Sequence, residues 1–249
     1  MNIENPFTLA DKRILVTGAS SGIGNQIAKS CALAGAAVIA SGRDQARLQK
    51  LLEELSGAEH QAIVCDLQDD AGIKKLVAQA GKIDGVVHSA GIYMVAPLRL
   101  CSRSHIEDQL RVNTVGPMLL TQQLLLRNAV NPCGAIVFIS SISAHIGVHG
   151  VSAYSGSKAA LEAMARSLSM EVAKKKIRVN CLAPGLVETP MLEEARQASA
   201  EGLDETLAQY PLGFGKPEDV ANAAVFFLSG ASRWITGTTL VMDGGHTVG

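Results

Sequence analysis

The sequence predicts a three-layer, doubly wound α/β fold around a seven-stranded parallel sheet. Three observations predict it. Short apolar runs alternate with helical stretches from one end of the chain to the other, which is the pattern of repeated βαβ units. The first run breaks into a glycine-rich turn that opens a helix. The 249 residues are 47% hydrophobic and only 18% charged, enough apolar material for a parallel sheet covered on both faces.

The strand-like runs are 13–17, 37–40, 61–65, 84–88, 135–140, 177–182 and 238–242. Between them, the clearest helix is 44–55: Leu48, Leu51, Leu52 and Leu55 recur at i, i+3, i+4 and i+7, with Asp44 as its N-cap. A second long helix is expected over about 103–127. No linker, internal repeat or low-complexity segment interrupts the pattern, so one domain over 1–249 is expected.

The formal net charge of −1 gives no reason to expect nucleic acid or an anionic membrane as partner. Five scattered cysteines (Cys31, Cys65, Cys101, Cys133, Cys181), odd in number and without a C-x-x-C pair, read as reduced fillers. There is no basic N-terminal patch leading into an apolar stretch and no 18-residue apolar span, so a soluble, cytoplasmic protein is expected.

After the first strand comes Thr17-Gly18-Ala19-Ser20-Ser21-Gly22-Ile23-Gly24. Glycines at a strand-to-helix turn let the backbone approach a pyrophosphate, and the helix N-terminus offers it free N–H groups. The spacing G-x-x-x-G-x-G departs from the usual dinucleotide pattern G-x-G-x-x-G, so this stretch alone also fits a plain tight turn. Farther on, Ser141 closes the apolar run 135–139, and Tyr154 and Lys158 stand four apart, on one face of a helix. A phenol ordinarily ionises near ~10; an adjacent ammonium favours the phenolate and pulls that value toward the working range. The Ser141 hydroxyl is placed to hold a substrate carbonyl. By itself, Y-x-x-x-K also describes an ordinary helix face.

Taken together, Thr-Gly-Ala-Ser-Ser-Gly-Ile-Gly, Ser141, Tyr154 and Lys158, in this order and spacing, resemble the single-domain short-chain dehydrogenase/reductase family over nearly the whole chain. The resemblance implies a Rossmann fold and an oxidoreductase of the 3-oxoacyl-[acyl-carrier-protein] reductase type. Ser141, Tyr154 and Lys158 are its catalytic set, and Asn113 supports a proton path. It also implies cofactor contacts from Gly18, Ser20, Ser21, Gly22, Ile23 and Gly24 on the phosphates and from Asp66 and Leu67 on the adenine. Around the nicotinamide half it places Ala90, Gly91, Tyr154, Lys158, Pro184, Gly185, Val187 and Thr189. Where an NAD-selecting carboxylate would close the second strand the chain has Gly42 followed by Arg43, which favours NADP(H) through a bidentate grip on the 2′-phosphate.

The chain departs from the family pattern in two places. His88-Ser89 replaces the usual Asn-Asn before Ala90-Gly91, and Phe214 replaces an arginine. His145 and His149 have a helical metal-pair spacing, but Gly147 and Gly150 argue against a helix and no metal is expected. Residues 186–216 have the character of a substrate lid. Lys174, Lys175 and Lys176 read as a solvated helix end, or alternatively as a landing point for an acidic carrier protein. A homotetramer is implied by the resemblance. The alternatives are a polyol, steroid or other secondary-alcohol dehydrogenase and, from another class, a non-catalytic nucleotide-binding regulator.

Overall fold

The computed structural model describes residues 5–190, 192–193 and 207–248. Seven parallel strands form one sheet in the order β3-β2-β1-β4-β5-β6-β7. They are β1 Arg13–Thr17, β2 Ala37–Gly42, β3 Gln61–Val64, β4 Ile83–His88, β5 Val130–Ile139, β6 Arg178–Pro184 and β7 Thr239–Met242. Each coincides with a predicted run to within a few residues, except that β5 starts five residues early. The described helices are α1 Gly22–Leu33, α2 Gln45–Glu54, α3 Asp70–Ala80, α4 Arg103–Leu110, α5 Gly116–Leu126, α6 Ser152–Val172 and α7 Pro217–Leu228.

Both faces of the inner strands are covered, while β7 at the edge keeps Leu240 and Val241 partly exposed. The covered strands read as continuous apolar runs rather than alternating ones. In β1, Ile14 and Val16 belong to a core shared with α1, α2 and α7, while Leu15 points to a second core shared with α3, α5 and α6. In α2, Asp44 accepts from the Arg47 N–H (3.0 Å) as the predicted N-cap, and Leu48 and Leu51 are fully buried. Leu52 and Leu55 sit at the margin of the same core.

The predicted helix 103–127 is not continuous. It divides into α4 and α5 around a single π-helical turn, Arg111–Val115. Pro117 has no N–H to offer the carbonyl four residues back, that of Asn113, so the ladder widens there. Of the cysteines, Cys31, Cys65 and Cys181 are buried, Cys101 is intermediate and Cys133 is exposed; all five are unpaired. No helix among the described residues is long and apolar enough to cross a membrane. Most of the expected lid (191 and 194–206) lies outside the described residues.

His88, at the end of β4, is buried and stacks on Phe138 with ring centroids 4.7 Å apart. The Thr121 hydroxyl donates to the Pro117 carbonyl (2.8 Å), so it accepts the His88 Nε2–H at 2.9 Å. His88 Nδ1 has no partner among the described residues. Burial pulls the imidazole down from 6.5 to about 3. The unfolded chain therefore takes up this proton first as pH falls, and stability is lost between about 6.5 and 3, by up to ~1.4 kcal/mol per pH unit. Denaturant titrations at pH 7.5 and 5.5 should show the wild type losing roughly 1 kcal/mol more than His88→Asn, whose amide does not titrate. Equal losses would show that His88 is protonated without penalty.

Candidate active site

In a doubly wound sheet the crevice lies at the carboxyl ends of the strands, where the strand order reverses. Here that point is between β1 and β4, and a cavity of about 940 Å³ opens there. Every residue expected to contact cofactor lines it, and so do Ser141, Tyr154 and Lys158. Asn113 alone of the expected residues does not.

The glycines are needed at their positions. Gly18 has φ +67°, and a Cβ on it would come within 2.7 Å of the Ala90 backbone. A Cβ on Gly24 would lie 2.3 Å from the Gly18 carbonyl oxygen. This close approach packs α1 against the β1 turn. The caps of α2, α3 and α4 are filled by Asp44, Asp69 and Ser102, but Ser21 makes no side-chain cap bond to α1. The first turn of α1 thus presents its N–H groups to the cavity. A glycine cradle with an uncapped helix end fits a dinucleotide pyrophosphate. At the end of β2, Gly42 leaves space beside Ser20, and Arg43 is exposed on the cavity rim.

The floor is residues 89–94, which have no regular structure and so need partners for their backbone. Thr17 Oγ1 accepts from the N–H groups of Ser89 (3.2 Å) and Ala90 (3.3 Å). Asn113, fully buried, accepts from Ile92 N–H at 2.8 Å and donates to Ile92 O at 2.9 Å and to Ser157 Oγ at 3.1 Å. Gln109 Oε1 accepts from Met94 N–H at 3.3 Å. Asn113 therefore binds the floor to α6 through its side chain. Thr17 and Gln109 were not anticipated; each is a polar residue at an apolar position, which is the signal they carry in the sequence.

Tyr154 and Lys158 lie on one face of α6, with Lys158 Nζ 5.6 Å from the centre of the Tyr154 ring. Lys158 is buried and donates to the Ile139 carbonyl at 2.9 Å. Burial lowers its pKa to about 8. Ser141 Oγ accepts from Ser143 N–H (3.2 Å) and Ser143 Oγ–H (3.1 Å), which leaves its own proton for the Tyr154 oxygen, to which it is hydrogen-bonded. The sequence led to the expectation of a lowered Tyr154 pKa. The structure shows the opposite: burial pushes it up to about 12, outweighing the Ser141 bond, and Lys158 does not reverse this. A desolvated phenolate is costly, whereas the Lys158 proton is engaged by a carbonyl.

The rest of the cavity wall is mostly apolar: Tyr93, Ile142, Ile146, Val148, Val151 and Leu186. Tyr93 meets Tyr154 edge-on at 4.9 Å. Gln209, Tyr210 and His246 line it from the far end of the chain, with Tyr210 stacked on His246 at 4.4 Å and its hydroxyl accepting from Leu186 N–H (3.2 Å). Phe214 packs edge-on against Tyr210, the aromatic contact made where the family has an arginine. Thr189 stands over Gly22, its methyl 3.6 Å from where a Cβ would be. His149 reaches the wall, but His145 pairs with Glu162 at 3.0 Å. Lys174, Lys175 and Lys176 precede β6, at the amino edge of the sheet, and Lys175 donates to the Asn128 side chain at 2.5 Å. A strand of seven residues, about 20 Å, separates them from the cavity edge.

A family model described as "Enoyl-(Acyl carrier protein) reductase" matches residues 18–247. The chain belongs to the short-chain dehydrogenase/reductase family. It is 35% identical to a 3-oxoacyl-[acyl-carrier-protein] reductase of Thermotoga maritima, over 96% of this chain and 99% of that one. It is 36% identical to an L-xylulose reductase of Caenorhabditis elegans, over 97% and 98%. Among solved structures it is similar to a proposed NAD(P)-dependent gluconate 5-dehydrogenase of Beutenbergia cavernae with NADP bound at low occupancy. That match has a TM-score of 0.89 and 34% identity and covers 98% of this chain and all of the other. The protein is thus an oxidoreductase that interconverts a ketone and an alcohol with a nicotinamide cofactor. Relatives acting on an acyl thioester and on a sugar are equally similar, so identity does not select the substrate.

Proposed function

We propose that this enzyme uses NADP(H) and acts on a ketone flanked by apolar groups, such as a 3-oxoacyl thioester. The observation that carries this reading is the convergence of Ser141, Tyr154 and Lys158 in one cavity with an apolar wall and a glycine cradle. The glycine turn 18–24, Asp66 and the Ala90–Gly91 floor would hold a nicotinamide cofactor, which would supply hydride to, or accept it from, the carbonyl carbon. Ser141 holds the carbonyl oxygen through its hydroxyl. Tyr154, protonated at neutral pH, gives its proton to that oxygen in reduction and recovers it in oxidation. Lys158, about 8 in pKa, is largely charged at pH 7 and supports the phenolate formed as the proton leaves. Asn113 holds the floor and α6 in register.

Among the described residues, the charged ones lining the cavity are Arg43, Asp66 and Lys158, all on the cofactor side or at the catalytic set. Any polyol hydroxyl facing Ile142, Ile146, Val151 or Leu186 would cost about 1–3 kcal/mol unless it turned to Tyr93, His149, Gln209 or His246, which also line the cavity. A steroid-like ketone suits that wall as well as an acyl chain does. Residues 186–216 are read as the substrate lid; its base is fastened by Glu188 N–H to Gly215 O at 2.9 Å and Gly215 N–H to Leu186 O at 3.0 Å. The exposed Leu240 and Val241 of β7 support a homotetramer built through that edge, and the unpaired cysteines support a cytoplasmic location.

Two measurements test this reading. Tyr154→Phe should lower kcat by 10²–10⁴-fold or more while leaving cofactor affinity nearly unchanged, because the ring still packs against Tyr93. A variant keeping a third of wild-type kcat would remove Tyr154 from the mechanism. Fluorescence titration should give NADPH a preference over NADH of about ten- to a hundredfold, the roughly 1.5–3 kcal/mol of a charge-assisted contact to Arg43. Gly42→Asp with Arg43→Leu should invert it. Equal wild-type affinities would place the Arg43 guanidinium in solvent.

A further inference from the structure

The face of α6 that carries Tyr154 and Lys158 continues one turn farther to Glu162, which is 5% exposed and does not line the cavity. A carboxylate buried this deeply needs donors. One is Ser140, itself 3% exposed, whose hydroxyl donates to Glu162 Oε1 at 2.6 Å, with the Lys158 carbonyl a second, longer acceptor for that hydroxyl at 3.3 Å. The other is His145, whose Nε2 lies 3.0 Å from Glu162 Oε1 and carries the proton in that contact. Ser140 and His145 bracket the segment that contains Ser141. Its amino end is also fixed to β6, by Ser140 N–H to Leu182 O at 2.7 Å.

We propose that Glu162 is a positioning residue for catalysis: it grips both ends of the 140–145 turn and so aims the Ser141 hydroxyl at Tyr154. The proposal rests on the roles given above to Ser141 and Tyr154. Its physical basis is that one carboxylate oxygen receives two donors five residues apart in the chain. The turn between them is short, Ile142–Ala144, and holds Ser143, which donates twice to Ser141 Oγ. Releasing either end frees the turn to shift by a fraction of an ångström. Displacements of about 1 Å at a reacting group cost on the order of a hundredfold in rate. The phosphate and adenine-ribose side of the cofactor cradle, built from the turns after β1 and β2, shares no residue with this grip.

The test is steady-state kinetics with NADPH and a turned-over ketone, together with cofactor titration. Glu162→Ala should lower kcat about ten- to a hundredfold with cofactor Kd within twofold of wild type. Glu162→Gln, whose amide oxygen can take the same two donors, should recover kcat to within about threefold. His145→Ala, at a half-exposed site that disturbs the core little, should lower kcat about three- to tenfold and keep Kd. If Glu162→Ala keeps kcat within twofold, the proposal is overturned. If kcat and cofactor affinity fall together and Glu162→Gln restores neither, Glu162 is a structural residue and the proposal is again overturned. Should Glu162→Ala fail to fold, an unchanged kcat in His145→Ala overturns it. Tyr154→Phe is the control: an inactive Tyr154→Phe beside a fully active Glu162→Ala defeats this inference alone, whereas an active Tyr154→Phe defeats the mechanism beneath it.

Discussion

The bond from Lys158 Nζ to the Ile139 carbonyl is the contact around which the site is arranged. A buried ammonium without a carboxylate partner is expensive: burial lowers the Lys158 pKa to about 8, and the Ile139 carbonyl at 2.9 Å gives its proton an acceptor. That bond fastens the end of β5 to the middle of α6. The neighbours follow from it. Ser141 is placed two residues past the anchored carbonyl and Tyr154 one turn before the anchored lysine. At Gly91 a Cβ would press on Asn113 Oδ1 at 3.2 Å and touch Lys158 Nζ at 3.4 Å, so the glycine lets the floor lie close to both. Substrate chemistry and the packing of α6 on the sheet therefore share one constraint.

Much of this was legible in the sequence because it is periodic or spaced. The covered strands announce themselves as apolar runs since both of their faces are buried. α2 shows its heptad-like leucines and its Asp44 cap. The glycine turn, Ser141, Tyr154 and Lys158 are local motifs, and the cavity gathers them as their order requires. What was not legible depends on distance or on burial. The wall combines Tyr93, Ile142 and Leu186 with Tyr210 and His246, residues brought together only by the return of the chain to the carboxyl edge. The rise in the Tyr154 pKa comes from desolvation, which four-residue spacing cannot reveal. The break in the helix at Arg111–Val115 was signalled by Gly116-Pro117, but the same dipeptide fits a simple kink.

The replacement of Asn-Asn by His88-Ser89 shows how a support can be rebuilt from different chemistry. An asparagine at 88 would reach neighbours through a polar amide. His88 uses one ring nitrogen for Thr121 and its face for Phe138, at the cost of an unpartnered Nδ1 and a proton it refuses until about pH 3. Ser89 keeps the backbone bond that matters at the switch point, from its N–H to Thr17 Oγ1. The site therefore tolerates the exchange because the floor is held through main-chain groups.

That last point extends to the whole floor. A segment with no helix or strand of its own can be rigid only if other elements satisfy its backbone. Thr17 from β1, Asn113 from the π-helical turn and Gln109 from α4 do so for residues 89–94, three side chains from three elements. The widened turn has a purpose in this arrangement: it carries the Asn113 side chain to where it takes both Ile92 groups and Ser157 together. An uninterrupted helix over 103–127 would rotate every residue after the break relative to those before it. Asn113 could not then face the floor and α6 while α5 kept Leu120 and Leu124 in the core. The irregularity in the helix is thus the geometric condition for a fixed floor beneath the reacting groups.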